Sequence, residues 1–266
     1  MRVRPVIPSL VLKNEQMPFF ATRLSGHESG DCEVLSEGGF AIRQHEHLMP
    51  ASIFAIGDIH GQAERLEALL GRLAGLDSSA RLVFLGDYID RGAHSRQVVD
   101  RLLALALERP DTVFLMGNHE AALLRYDASR SPEDLRQLRT FGFQATLDSY
   151  ASPPGRSGLD FMPENHRRFF RELRRWFRCG PYVFFHAPLP CGVDPDAAKA
   201  HELEYLLSNR TIEADAWQAG GQTLVFGHVP LETPLTAPGL IGVDTGAGWG
   251  SVLTAVELPA LRFHHA

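Results

Sequence analysis

Carboxylates, imidazoles and a carboxamide recur in three short, ordered segments. These are Gly57-Asp58-Ile59-His60-Gly61, Gly86-Asp87-Tyr88-Ile89-Asp90-Arg91-Gly92 and Gly117-Asn118-His119-Glu120. Oxygen and nitrogen donors in such mixtures bind divalent cations, and paired divalent cations transfer phosphoryl groups to water. In Asp58-Ile59-His60 the apolar middle residue turns away, so both donors face one side. Two isolated histidines follow further apolar runs: His186 after Tyr182-Val183-Phe184-Phe185, and His228 after Leu224-Val225-Phe226-Gly227. The residue types imply a hydrolase built on metal ions.

Something must bring these donors together, and the flanking sequence supplies it. The three motifs follow the apolar, β-branched runs Ser52–Ile56, Leu82–Leu85 and Thr112–Met116. A helix with Leu66, Leu69, Leu70 and Leu73 on one face is expected over Gln62–Leu73, and another over Ser95–Leu107. Strand, loop and helix in this rhythm give βαβ units with parallel pairing, and open α/β sheets place their sites at the C-terminal strand ends. The later runs Tyr182–Phe185, Thr223–Phe226, Leu240–Val243 and Val252–Val256 lie close together between Gly and Pro turns. They imply a second, more antiparallel sheet. Between them, Ser131-Pro132-Glu133-Asp134 is a helix start, and Pro163–Phe177 is expected as a basic helix carrying Arg167, Arg168, Arg171, Arg174 and Arg175, with Arg178 just beyond. The organisation expected is an irregular extension over residues 1–50, with a short strand near Phe40-Ala41-Ile42, and a catalytic domain over 51–266. A helical insertion lies at about 127–178.

The 266 residues suit one large domain, and a net charge of −6 offers no general attraction for nucleic acid or an anionic membrane. Cys32, Cys179 and Cys191 lack ligand spacing and read as incidental thiols in a reducing compartment. His27, His45 and His47 have no supporting carboxylates and read as solvated loop residues. No apolar stretch approaches the ~20 residues that span a bilayer, so a cytoplasmic address is the default.

The three motifs, with His186 and His228 after them, resemble the phosphoprotein-phosphatase branch of the calcineurin-like metallophosphoesterases, above all its bacterial and lambda-phage serine/threonine phosphatases. The resemblance spans about Ile53 to Leu258 and implies an α/β sandwich of two mixed β-sheets flanked by helices. It implies one metal held by Asp58, His60 and Asp87, and a second by Asp87, Asn118, His186 and His228, with Asp87 shared. Two divalent ions bring four positive charges against two carboxylates, and the remainder binds phosphate and acidifies a bridging water. Manganese is the first expectation, with iron and zinc as alternatives. His119 is implied as general acid, with Asp90 keeping its imidazole oriented and protonated. Arg91 would grip the phosphate with its planar fork, Asn118 would face the substrate, and Arg210, closing Tyr205–Arg210, would be a second clamp. Glu120 would brace the loop, and Asp244 would orient a ligand histidine.

Three positions depart from the family pattern: Met116 where many members carry Arg, Pro188 after His186-Ala187, and Phe143 where paired glycines are common. These leave the chemistry in place and bear on substrate preference. The expected function is a dimetal serine/threonine protein phosphatase acting on phosphoprotein or phosphopeptide, with neither nucleic acid nor membrane as partner. The alternative is a diadenosine polyphosphate hydrolase sharing these motifs. A third reading is a non-catalytic relic that binds phosphorylated partners. The basic run around Arg167–Arg178 is a solvated face or a docking surface for acidic phosphopeptide.

Overall fold

Strand β1 (Ile53–Ile56) is buried on both faces, which is why it reads as an unbroken apolar run. The computed structural model describes residues 52–152, 155, 158–190, 192–213 and 221–266. The expected extension over 1–50, its short strand, its three histidines, Cys32 and Cys191 lie outside these residues.

From β1 the chain runs through α1 (Ala63–Leu76), β2 (Arg81–Phe84), α2 (Ser95–Glu108), β3 (Val113–Phe114) and α3 (Asn118–Ser129). Helices α4 (Pro132–Thr140), α5 (Phe143–Ser149) and α6 (Glu164–Glu172) follow, then β4 (Trp176–Cys179), β5 (Tyr182–Phe185), α7 (Ala200–Leu206), β6 (Thr223–Phe226), β7 (Leu235–Ala237) and β8 (Leu240–Gly242). Strands β9 (Thr254–Leu258) and β10 (Arg262–His265) complete the fold. One sheet has the order β10-β9-β1-β2-β3 and the other β4-β5-β6-β8-β7. Ile53, Ala55, Val83, Leu85, Phe184, Val225, Ile241 and Val256 fill one buried layer with residues from both sheets. Their strand neighbours Phe54, Ile56, Phe84, Val183, Phe185 and Phe226 point the other way, into a core shared with the helices. Two mixed sheets flanked by helices are therefore as expected.

Two expectations need correction. The run at Val252–Val256 does not join the second sheet: it becomes β9 and lies antiparallel to β1, with Ala55 opposite Val256. The inner pairs of the second sheet, β5–β6 and β6–β8, are parallel, the connection through α7 joining the first pair and the chain through β7 the second; only the outer strands pair antiparallel. The basic helix is also shorter than expected. It stops at Glu172, and Leu173 turns extended (φ −59°, ψ 135°). The Arg174 N–H then donates to the Phe114 carbonyl at 3.0 Å, and its own carbonyl accepts from Met116 N–H at 2.7 Å. These bonds take the backbone groups that another helical turn would need and lead into β4.

Phe169, Phe170 and Leu173 are buried, while Arg167, Arg171 and Arg178 pair with Glu164, Asp127 and Asp194. The Ser131 hydroxyl accepts from Asp134 N–H at 3.1 Å, with Pro132 opening α4, the start expected from the sequence. Among the described residues, no helix is long and apolar enough to cross a membrane.

Candidate metal centre

The donors sit on the loops leaving β1, β2, β5 and β6 and on the first turn of α3, at one end of both sheets. The loops are tight. His60, Asp87, Asp90, Arg91 and His228 all have positive φ, five of the eight such non-glycine residues described. Hydrogen bonds hold this backbone. Ile59 N–H and His60 N–H both donate to the Asp87 carbonyl, at 3.0 and 2.9 Å. The Glu120 carboxylate accepts from Asp87 and Tyr88 N–H at 2.9 Å and from Gly117 N–H at 3.0 Å, the bracing role expected of it. A side chain at Gly117 would collide with the Asp87 carboxylate, and one at Gly227 with that of Asp58, so both carboxylates lie in cradles that only glycine leaves open.

The histidine tautomers follow from their partners. His60 Nδ1–H donates to the Ile89 carbonyl at 2.9 Å, and His186 Nδ1–H to the Leu85 carbonyl at 2.8 Å. Their Nε2 lone pairs therefore face inward. His60 Nε2 lies 3.4 Å from one Asp87 oxygen, and His186 Nε2 lies 3.4 Å from the other. Each oxygen of Asp87 thus opposes a different imidazole lone pair. Asn118 Oδ1 lies 3.0 Å from His186 Nε2, and Asp58 approaches His60 Nε2 at 3.9 Å. Acceptors facing acceptors repel unless a cation stands between them.

Burial sharpens this demand. It pushes the Asp58 and Asp87 carboxyls well above their ordinary range, with Asp244 and Glu120 as the largest neighbouring charges respectively. Burial also lowers the histidines: His186 to about 3 and His228 to about 2, so both are neutral. His228 Nε2 is buried without a hydrogen-bond partner. Arg91 supplies the nearest cation, its Nη1 donating to His60 Nε2 at 2.7 Å. An orphaned imidazole nitrogen, desolvated carboxylates and a guanidinium on a ligand nitrogen all fit a site for divalent cations with Asp87 between them. Asp87, His186 and His228 form one potential cluster and His60, Asp87 and His119 another.

His119 lies beside this centre. Its Nδ1–H donates to Asp90 at 2.7 Å, and its Nε2 accepts from Arg91 at 3.3 Å. Burial, helped by Arg91 and Arg210, lowers its pKa well below the ordinary histidine range. Asp90 fixes the tautomer through Nδ1, while burial works against protonation of the ring. Arg210 is exposed, yet close enough to depress His119, His186 and His228 together. Asp244 accepts from Gly246 N–H at 2.9 Å and places its charge beside the Asp58 carboxyl.

Three partners escaped the sequence reading. Thr146 donates to Asp90 at 2.6 Å, Phe141 stacks on His119 with ring centroids 4.4 Å apart, and the Arg91 guanidinium lies 4.4 Å from the centre of the Trp249 ring. Thr146 and Phe141 lie within three residues of Phe143, singled out above where glycines are common, and that was the available signal. Trp249 comes five residues after Asp244.

The calcineurin-like phosphoesterase profile matches residues 51–233, a span containing every donor above. The bis(5'-nucleosyl)-tetraphosphatase PrpE [asymmetrical] of Halalkalibacterium halodurans is 26% identical over 227 residues, covering 78% of this chain and 90% of that protein. The protein of the same name from Oceanobacillus iheyensis is 27% identical, covering 78% and 89%. A crystal structure of a candidate diadenosine tetraphosphatase superposes with a TM-score of 0.60 at 22% identity, over 83% of this chain and 94% of the other. These relatives overturn the expectation of a serine/threonine protein phosphatase. The physical reason is that the shared motifs supply donors for a cation site, which serves phosphoryl transfer from many esters and leaves the substrate open. With the profile covering β1 to β6 and all the donors described above, this chain belongs to the calcineurin-like phosphoesterase family.

Proposed function

We propose that this chain hydrolyses dinucleoside polyphosphates asymmetrically, releasing a mononucleotide and the complementary nucleotide. The observation that carries the substrate class is the likeness to PrpE proteins, which extends over nine-tenths of their length. Glu120 is occupied by three backbone N–H groups and says nothing about substrate.

Asp58, His60 and Asp87 would hold one divalent ion, and Asp87, Asn118, His186 and His228 the other, with manganese proposed ahead of iron and zinc. When bound, these ions supply the positive charge that polarises the phosphoryl group and makes water acidic. The chain's own residues do the rest. Arg91 and Arg210 hold phosphate oxygens, and Arg91 must leave His60 Nε2 to do so. The arriving phosphate charge favours protonation of His119 at Nε2, which faces the leaving oxygen, while Asp90 and Thr146 hold the other side of the ring. The N-terminus of α3, which begins at Asn118, adds a favourable dipole for the anion.

The test is product analysis with metal-loaded protein and diadenosine tetraphosphate. Equimolar ATP and AMP are expected. ADP as sole product, or turnover of phosphopeptide but not of the dinucleotide, would overturn the proposal.

A further inference from the structure

Trp249 is a large aromatic ring left 69% exposed at the rim of a buried site, which demands an explanation. Its position is rigidly set. It ends a 3-10 turn (Ala247–Trp249) flanked by Gly246 and Gly250, both with left-handed backbones at φ 79° and 90°. The turn closes through Trp249 N–H to the Gly246 carbonyl at 2.9 Å and Ser251 N–H to the same carbonyl at 3.1 Å. From behind, Arg65 donates to the Gly250 carbonyl at 3.0 Å. Gly248 packs so closely on His60 that a Cβ there would come within 2.6 Å of the ring. The turn is therefore fitted against a proposed metal ligand, with the indole projecting beyond it.

One side of the indole meets the Arg91 guanidinium, 4.4 Å from the ring centre. Arg91 in turn contacts both His60 Nε2 and His119 Nε2. A phosphate gripped by Arg91 thus has an open aromatic surface as its neighbour. Nucleobases stack on such surfaces whatever their edge pattern, since every base has a π-face.

We propose that Trp249 is the stacking platform for the base of the nucleoside whose phosphate is attacked. This rests on the dinucleotide reading and deepens it. Anchoring that base beside Arg91 brings the phosphate nearest its sugar to Asp87 and keeps the central phosphates away. The platform would then set where the chain of phosphates is cut, giving unequal products.

The test compares metal-loaded wild type with Trp249→Leu and Trp249→Phe. Inhibition of p-nitrophenyl phosphate hydrolysis by AMP and by inorganic phosphate isolates the contribution of the nucleoside, even if the dinucleotide is not a substrate. AMP should bind more tightly than phosphate to wild type. Trp249→Leu should erase about 5- to 150-fold of that advantage, and Trp249→Phe should retain most of it. Inorganic phosphate should bind all three proteins alike. With diadenosine tetraphosphate, Trp249→Leu should raise the share of ADP among the products. An AMP advantage that is absent in wild type or survives in Trp249→Leu, or an equal loss for AMP and phosphate, overturns the platform. If wild type fails to cleave the dinucleotide while the AMP advantage depends on Trp249, the dinucleotide reading falls and the base platform stands.

Discussion

Phe141 lies almost flat against His119, with ring centroids 4.4 Å apart and planes 27° from parallel. It closes one face of the imidazole to water, while Asp90 fixes Nδ1. Removing the ring in Phe141→Ala should free His119 to rotate. Aromatic pairs of this kind contribute about 0.5–1.5 kcal/mol, so kcat should fall about two- to twelve-fold with KM little changed. Steady-state kinetics on an alkyl phosphomonoester, where the role of His119 is largest, measure this. An unaltered kcat would remove Phe141 from the positioning of His119.

The role given to His119 depends on what leaves. A departing nucleotide phosphate has a pKa near about 6 and needs little protonation, whereas an alkoxide needs a full proton. His119→Asn should cost about 10²–10⁴ in kcat on an alkyl phosphomonoester and no more than about tenfold on diadenosine tetraphosphate. Equal losses on both substrates would show that the residue acts on something other than the leaving oxygen.

Gly117 and Gly227 leave room for the Asp87 and Asp58 carboxylates. Gly117→Ala should displace Asp87, the residue opposed to both His60 and His186. Metal content after dialysis, read by atomic spectroscopy, should drop from two ions per chain toward one or none, while the circular dichroism of the fold is kept. Retention of two ions would mean that Asp87 does not join the two sites.

Burial raises Asp90 from its ordinary value near 3.8 to about 7, and Glu120 from 4.5 to about 7. Acids raised on folding bind more protons when native than when unfolded, so stability is fullest below about pH 4 and is lost as pH climbs through about 7. Burial of His60, His119, His186 and His228 acts the opposite way over the same window, so the carboxyl is read by difference. Asp90→Asn should gain melting temperature relative to wild type, both metal-free, as pH rises from about 5 to about 8. A difference that stays constant across this window would contradict the burial of Asp90.

The parts of this architecture that the sequence discloses are the local ones. Runs such as Leu82–Leu85 announce strands because both faces are buried, and the Asp58-Ile59-His60 step places two donors without any distant partner. What escapes is built by contacts across the chain. Thr146 reaches Asp90 over 56 residues, and β9 joins β1 across almost the whole described length. Neither has a periodic signature. The lowered pKa of His119 comes from burial and from Arg91 and Arg210, which converge only in the fold. Substrate class stayed out of reach because the motifs carry donors for a cation site and no contact to a particular ester.

The backbone carbonyls of Leu85 and Ile89 fasten two imidazoles from behind, so these rings hold their aim whether or not ions are present. Release and recapture of cations then need no refolding of the pocket. Such a socket would accept one divalent transition metal in place of another, with availability setting the occupant more than the ligands do.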